Sequence, residues 1–312
     1  MTLVPVNSLK IAMPAIEEAH WRAKHERTQQ SNRKPQSWAN GVKRFTFEIA
    51  VSLVFTALAM VSLPYLRGAS ASALANRSDI RHTPVLVELF TSEGCSSCPP
   101  ADALLEKLDP AQPVNGAELI VLSEHVDYWN DIGWKDPYSS HDYSERQSAY
   151  ASRFGRGSIY TPQMVIDGHL ELVGSDERGA IRAIENETKI AKVSLTLSAI
   201  RFENDDKLSL HVESDPLGPS VRADSAGLFL AIADDSDESQ VSRGENGGRT
   251  LKHVAVLRSL VAVGTVSKSD KFSRDMTVKF CNQDRRHLRI VGIIRERPAG
   301  EVLGVASARL PD

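Results

Sequence analysis

Cysteine is scarce in this chain of 312 residues, which has three: Cys95, Cys98 and Cys281. So low a count excludes a disulfide-dense small scaffold, and without a second Cys-x-x-Cys pair a four-sulfur zinc site cannot be assembled. Aromatic residues are also few, 6% of the chain, and unevenly placed. Beyond residue 75 every Trp and Tyr falls between Tyr128 and Tyr160. There is no long internal repeat, and the chain after residue 75 lacks clusters of Lys and Arg, which argues against nucleic acid as a partner. What is present is ordinary globular material: 41% hydrophobic and 25% charged residues exclude a disordered chain and a collagen-like repeat. The length allows two modest domains, or one with appendages.

The net charge of -3 conceals two unlike ends. Residues 1–46 carry eight Lys/Arg against three Asp/Glu, whereas residues 76–312 carry 28 against 36. Lys43 and Arg44 precede an apolar run over residues 49–66, followed by Arg67 and a small-residue stretch ending Ala73-Leu74-Ala75. Basic flank, apolar run and small-x-small triplet together predict a secretory signal cleaved before Asn76. The alternative is a membrane anchor, for which the run is short and is interrupted by Pro64. The protein is therefore expected in the periplasm or secreted, touching a membrane only through an uncleaved leader spanning residues 1–75.

From Pro84 the pattern alternates between strand and helix. Residues 85–90 form a short apolar run, Ala101, Leu104, Leu105 and Leu108 recur at helical spacing, and residues 119–122 read as a second buried strand. A helix is expected over residues 144–154, then two strands about an Asp167-Gly168 turn, and a closing helix over 176–190. Beyond Lys192 the period changes to two, as in Val193, Leu195 and Leu197 or Leu208, Leu210 and Val212. The expected fold is an α/β domain over residues 84–190, followed by an all-β, sandwich-like domain of roughly seven strands over residues 192–312.

Gly94-Cys95-Ser96-Ser97-Cys98-Pro99-Pro100 lies between the first strand and the amphipathic helix. A thiol at a helix N-terminus is stabilised as thiolate by unpaired N–H groups and the positive end of the helix dipole. Cys95 is then the exposed attacking thiol and Cys98 the resolving one, a redox-active disulfide needing no other cofactor. The pair Thr161-Pro162 stands before the short apolar strand and the hairpin turn.

A Cys-x-x-Cys after the first strand and a Thr-Pro before a β-hairpin resemble the thioredoxin superfamily. That resemblance implies a cis Pro162 packed against the dithiol, with the Thr161 backbone pairing with an extended substrate segment. It also implies an acidic residue on the first strand beneath the resolving cysteine. Glu88, the single charged residue of residues 85–90, is the candidate general base for Cys98, although a structural pairing with a Lys or Arg from the second, β-rich domain explains a buried carboxylate equally well. More closely, residues 84–311 resemble a bacterial family of secreted thioredoxin-like proteins classed as a domain of unknown function. The likeness rests on the run from Glu88 through Gly94-Cys95-Ser96-Ser97-Cys98-Pro99-Pro100 to Asp102, on His125-Val126-Asp127-Tyr128-Trp129, on Tyr160-Thr161-Pro162-Gln163, and on Arg243-Gly244-Glu245-Asn246.

Tyr128, Trp129 and Trp134 could line a groove for a peptide beside the dithiol, or form the small core of an inserted loop. His125 and Asp127 would suit a Cys-His-Asp hydrolase if they stood near Cys95, but the partner Cys98 points to redox chemistry instead. His125 with Cys95 and Cys98 is the alternative of a copper site, since imidazole and soft sulfur suit that metal. Residues 244–251 fail as a phosphate loop because the spacing is short and strands flank them; they read as a hairpin or docking loop. Cys281 reads as a small buried hydrophobe. The expected function is exported thiol-disulfide exchange on protein or peptide substrates, with an electron donor or acceptor of undetermined identity. The rival is a binding module in which the same cysteines form a structural disulfide or hold copper.

Overall fold

In the computed structural model, residues 82–204, 206–279, 287–296 and 299–310 are described. The leader and Cys281 lie outside the described residues. Strand β1 (Thr83–Thr91) is buried on both faces because helices or strands cover each side, and it runs parallel to β2 (Ala117–His125). The connection is α1 (Pro99–Ala111), whose residues Ala101, Leu104, Leu105 and Leu108 are buried as their spacing predicts. Helix α2 (His141–Arg153) starts where Ser140 Oγ accepts the Asp142 N–H, a standard N-cap.

Strands β3 (Gln163–Ile166) and β4 (Leu170–Val173) form the expected hairpin. Asp167 and Gly168 both have positive φ, 50° and 62°, as a two-residue primed turn requires. Helix α3 (Glu177–Glu187) follows, capped by Asp176 through the Gly179 N–H. Seven more strands complete the described chain: β5 (Leu195–Asn204), β6 (Lys207–Ser214), β7 (Ser225–Gln240), β8 (Thr250–Ser267), β9 (Phe272–Lys279), β10 (Leu288–Arg295) and β11 (Val302–Arg309).

The arrangement of these seven strands departs from two separate domains. A single eight-stranded sheet runs β11-β10-β7-β8-β2-β1-β3-β4, while β5, β6 and β9 form a second sheet. Strand β8 joins β2 in parallel through the Ser123–Val256 register, so the boundary expected at residues 190–192 does not divide the sheet. The fold is thus mixed α/β, with a large β-rich body continuous with the α/β part. The sandwich layer exists, but only locally: Leu208, Leu210 and Val212 of β6 pack on Leu228, Leu230 and Ile232 of β7.

Strand alternation sorts the remaining cores. Val85, Val87 and Leu89 pack with α1 and with Val254 and Ala255 of β8. The intervening Leu86 faces the opposite side with Tyr143 of α2, Leu257 and Ile293. Among the described residues no helix is long and apolar enough to cross a membrane.

Candidate functional site: a buried disulfide under a hairpin

The strand β1 delivers the chain into a tight turn in which the Cys95 N–H donates to Ser92 O and the Cys98 N–H to Cys95 O. Cys95 and Cys98 are joined as a disulfide, with Cα atoms 5.5 Å apart. Cys98 is the N-cap of α1, and Cys95 precedes it by one turn. The helix begins Pro99-Pro100, so its first two positions carry no N–H, and the Ala101 and Asp102 N–H groups both donate to Cys98 O. The expected cushion of free N–H donors for a Cys95 thiolate is therefore thin, because those donors are the physical source of the positive helix end.

Exposure differs from expectation as well. Cys95 and Cys98 are each 0% exposed, whereas Ser96 and Ser97 between them are open to solvent. Two elements cover the pair. Trp129 lies against Gly94, where an added Cβ would come to 3.0 Å from Trp129 Cβ, so a larger residue there would have to push Trp129 back by a few tenths of an ångström. On the other side the β7–β8 hairpin loop, residues 241–249, presents a fully buried Asn246 whose Nδ2 donates to the carbonyls of Glu93 and Cys95, each at 2.9 Å. Arg249 Nη1 donates to Asn246 Oδ1 at 3.0 Å and fixes that amide, while Glu245 Oε2 accepts the Ser96 N–H at 3.0 Å. Gly244, at φ 78°, lets this loop close against Trp134. The segment that fails as a phosphate loop is a clasp on the disulfide turn.

Thr161 and Pro162 do come to this turn. The Thr161–Pro162 peptide is cis. Ser97 Oγ lies 3.3 Å from Cys95 Sγ and donates to the Thr161 carbonyl at 3.5 Å. Trp129 Nε1 donates to Thr161 Oγ1 at 2.8 Å, so Trp129, Thr161 and the disulfide form one unit. Tyr128 is exposed; its hydroxyl donates to Gln147 Oε1 at 3.1 Å, and Gln147 Nε2 in turn braces the Tyr160 carbonyl at 2.7 Å. Trp134 turns elsewhere, donating its Nε1 to Glu93 Oε2 at 2.7 Å.

Glu88 is not beneath Cys98. It occupies an even position of β1, on the face opposite α1, where Arg146 donates to it through Nε at 3.1 Å and through Nη2, and the Tyr150 hydroxyl donates at 2.6 Å. Arg146 also reaches Glu124 at 3.3 Å, and burial, together with neighbouring Glu88, pushes the Glu124 carboxyl well above its ordinary range despite that guanidinium. The structural pairing is the role the geometry gives Glu88, with its arginine supplied by α2 rather than by the later strands.

The ionisable groups that do adjoin the cysteines went unread in the sequence. Glu93, fully buried two residues before Cys95, accepts from Trp134, from Ser239 Oγ and from His253 Nε2, the last at 3.2 Å. His253 Nδ1 faces Asp102 Oδ1 at 3.9 Å, and the Asp102 N–H donates to Cys98 O. Burial opposes charge on His253, but the carboxylates of Asp102 and Glu93 outweigh it and lift its pKa to about 10. The one available signal was the alternation of Leu251, His253 and Ala255, which places the imidazole on a buried face.

His125 stacks edge-on against His253, ring centroids 4.6 Å apart, and its Nδ1 is 2.8 Å from Asp136 Oδ2. Burial raises the Asp136 carboxyl, but His125 and the backbone N–H groups of Glu93 and Tyr138 more than compensate and hold it below its ordinary value. Asp127 instead bonds Ser144 and His141, so a Cys-His-Asp arrangement does not form. Cys95 and Cys98 are joined to each other, and among the described residues no group of three or more His, Cys, Asp and Glu is arranged to hold a metal ion.

A family model for proteins of unknown function (DUF1223) matches residues 86–294. The chain belongs to that family. Among solved structures, this DUF1223 chain is similar to protein AGR_C_4864 from Agrobacterium tumefaciens, with 25% identity, a TM-score of 0.55, and coverage of 74% of this chain and 98% of that one. It shares the fold of HBP35 of Porphyromonas gingivalis at 13% identity and a TM-score of 0.51, covering 73% of this chain and 76% of that one. No curated protein matches it by sequence.

Proposed function

We propose that this DUF1223 protein is an exported thiol-disulfide oxidoreductase acting on protein or peptide substrates. The observation that carries the reading is the Cys95–Cys98 disulfide at the start of α1, with Ser97 linking it to the Thr161 carbonyl at 3.5 Å. The strand order β2-β1-β3-β4, with β1 and β2 parallel and β3 antiparallel to β1, supports a thioredoxin-like core around that disulfide. In the reduced protein the Cys95 thiolate attacks a substrate disulfide, forming a mixed disulfide and releasing one substrate thiolate. The Cys98 thiolate then attacks the Cys95 sulfur, closing Cys95–Cys98 and releasing the second. Two electrons pass to the substrate, and an external dithiol reduces the pair again; in the reverse direction the Cys95–Cys98 disulfide oxidises a substrate dithiol and an external disulfide reoxidises the pair.

Thr161 and Pro162 form the edge on which an extended substrate would lie, with Trp129 and Tyr128 beside it. Protons would be exchanged with the Glu93–His253–Asp102 array rather than with Glu88. Because the disulfide is covered, exchange requires the 241–249 loop to lift.

A second reading is favoured by that same cover: a permanent structural disulfide in a binding module. A Cys98→Ala variant separates the two. Exchange predicts mixed disulfides between Cys95 and periplasmic proteins, absent from a Cys95/Cys98 double-alanine control. Recovery of none beyond that control would leave the structural reading in possession.

A further inference from the structure

We propose that the α2 face of the sheet carries a binding site for a small organic carboxylate, with Arg295 as its anion-binding residue. This site is independent of the disulfide chemistry. A cavity of about 700 Å³ opens between α2 and the strands β7, β8 and β10, on the side of the sheet away from α1.

Three arginines are buried among the described residues: Arg146, Arg289 and Arg295. Two of them are compensated. Arg146 pairs with Glu88 and Glu124, and Arg289 grips Asp109 through two 2.9 Å bonds while its Nε meets Asp235. Arg295, 8% exposed at the end of β10, stacks over Phe229 with its guanidinium carbon 4.5 Å from the ring centroid. Its Nε and Nη1 are buried with no hydrogen-bond partner, and no carboxylate among the described residues stands at ion-pair distance from it. A guanidinium cannot shed its proton to escape this cost, as a lysine or histidine can. A buried fixed charge without a counter-charge is among the costliest features a fold can retain.

Other unpartnered donors line the same cavity. Arg146 Nη1 and Ser259 Oγ are both buried without a hydrogen-bond partner. Three donor groups from α2, β8 and β10 thus border one space. The planar donor fork of a guanidinium matches a carboxylate, and Phe229, Leu257, Leu260 and Ala299 supply apolar wall for an organic body behind it. Asp142 and Glu145 also border the cavity, and their negative charge disfavours a polyanion such as phosphate. A monoanionic carboxylate with an apolar body fits this pattern.

The test is calorimetric titration of the full chain with phenylacetate at matched ionic strength, beside inorganic phosphate and the neutral 2-phenylethanol. The expected result is saturable one-to-one binding of phenylacetate, with phosphate and the alcohol at least tenfold weaker. Arg295→Gln should abolish that binding while leaving the ligand-free melting temperature unchanged or higher, since it removes an uncompensated charge. Ala299→Leu, which narrows the apolar wall and keeps the arginine, should weaken binding at least tenfold. Absence of phenylacetate binding overturns the proposal, as does undiminished binding in both variants. A lowered ligand-free melting temperature for Arg295→Gln would also overturn it, by showing that the guanidinium is already compensated within the fold.

Discussion

The two faces of β1 each carry buried charge, and they use it differently. On the α2 face, Glu88 has both oxygens bonded, to Arg146 and Tyr150, residues of a single helix. On the α1 face, Glu93, Asp102 and His253 come from a loop, a helix and a strand, and two of their polar atoms, Asp102 Oδ1 and His253 Nδ1, lack hydrogen bonds. One cluster ties a helix to the sheet, whereas the other adjoins two cysteines. An acidic residue near a cysteine in sequence can thus face the opposite side of the sheet, as Glu88 does. Strand side chains alternate, so a shift of one position sends a carboxylate through the sheet.

The contrast can be broken most forcefully at Arg146. Arg146→Met should cost about 3–5 kcal/mol, because it leaves Glu88 and Glu124 buried without their cation. Urea unfolding measures that loss, and the redox equilibrium of the folded variant with glutathione should stay at the wild-type value. A shifted equilibrium would mean that the α2-face cluster does reach the cysteines.

A smaller effect, with a pH signature, is expected at His253. Its folded pKa of about 10 lies above its ordinary value, so the protonated form stabilises the fold. That contribution is complete below about pH 6.5 and is lost as pH rises toward 10. The stability difference between wild type and His253→Gln should therefore shrink by a few kcal/mol across that window, as read from urea midpoints at successive pH values. A difference that does not change with pH would place the imidazole outside the charged array.

The smallest effect is expected at the clasp. Asn246→Ala removes hydrogen bonds to two carbonyls and should cost about 1–2 kcal/mol. It should also speed reduction of Cys95–Cys98 by dithiothreitol severalfold, because the cover loosens. An unchanged rate would show that the loop does not limit access.

Local features were legible in the sequence. The spacing of Ala101, Leu104, Leu105 and Leu108 sufficed for α1, and Asp167-Gly168 sufficed for the hairpin, because both depend on neighbours within a turn. The long-range array was not legible. Asn246 and His253 lie about 150 residues beyond the disulfide turn, and no local pattern encodes that meeting. The expected domain boundary misplaced the later strands for a related reason. Period-two strands declare that one face is buried, but not against which sheet edge they will pair.

By itself the sequence determined where strands and helices form and that Cys95 and Cys98 can join, since three positions of separation bring two sulfurs together wherever the turn is placed. Only the tertiary structure decided which carboxylate lies beside them, what covers them, and that Arg295 is buried without a counter-charge among the described residues. Those outcomes depend on strand parity and on pairing between distant segments, which the packing of the whole sheet sets.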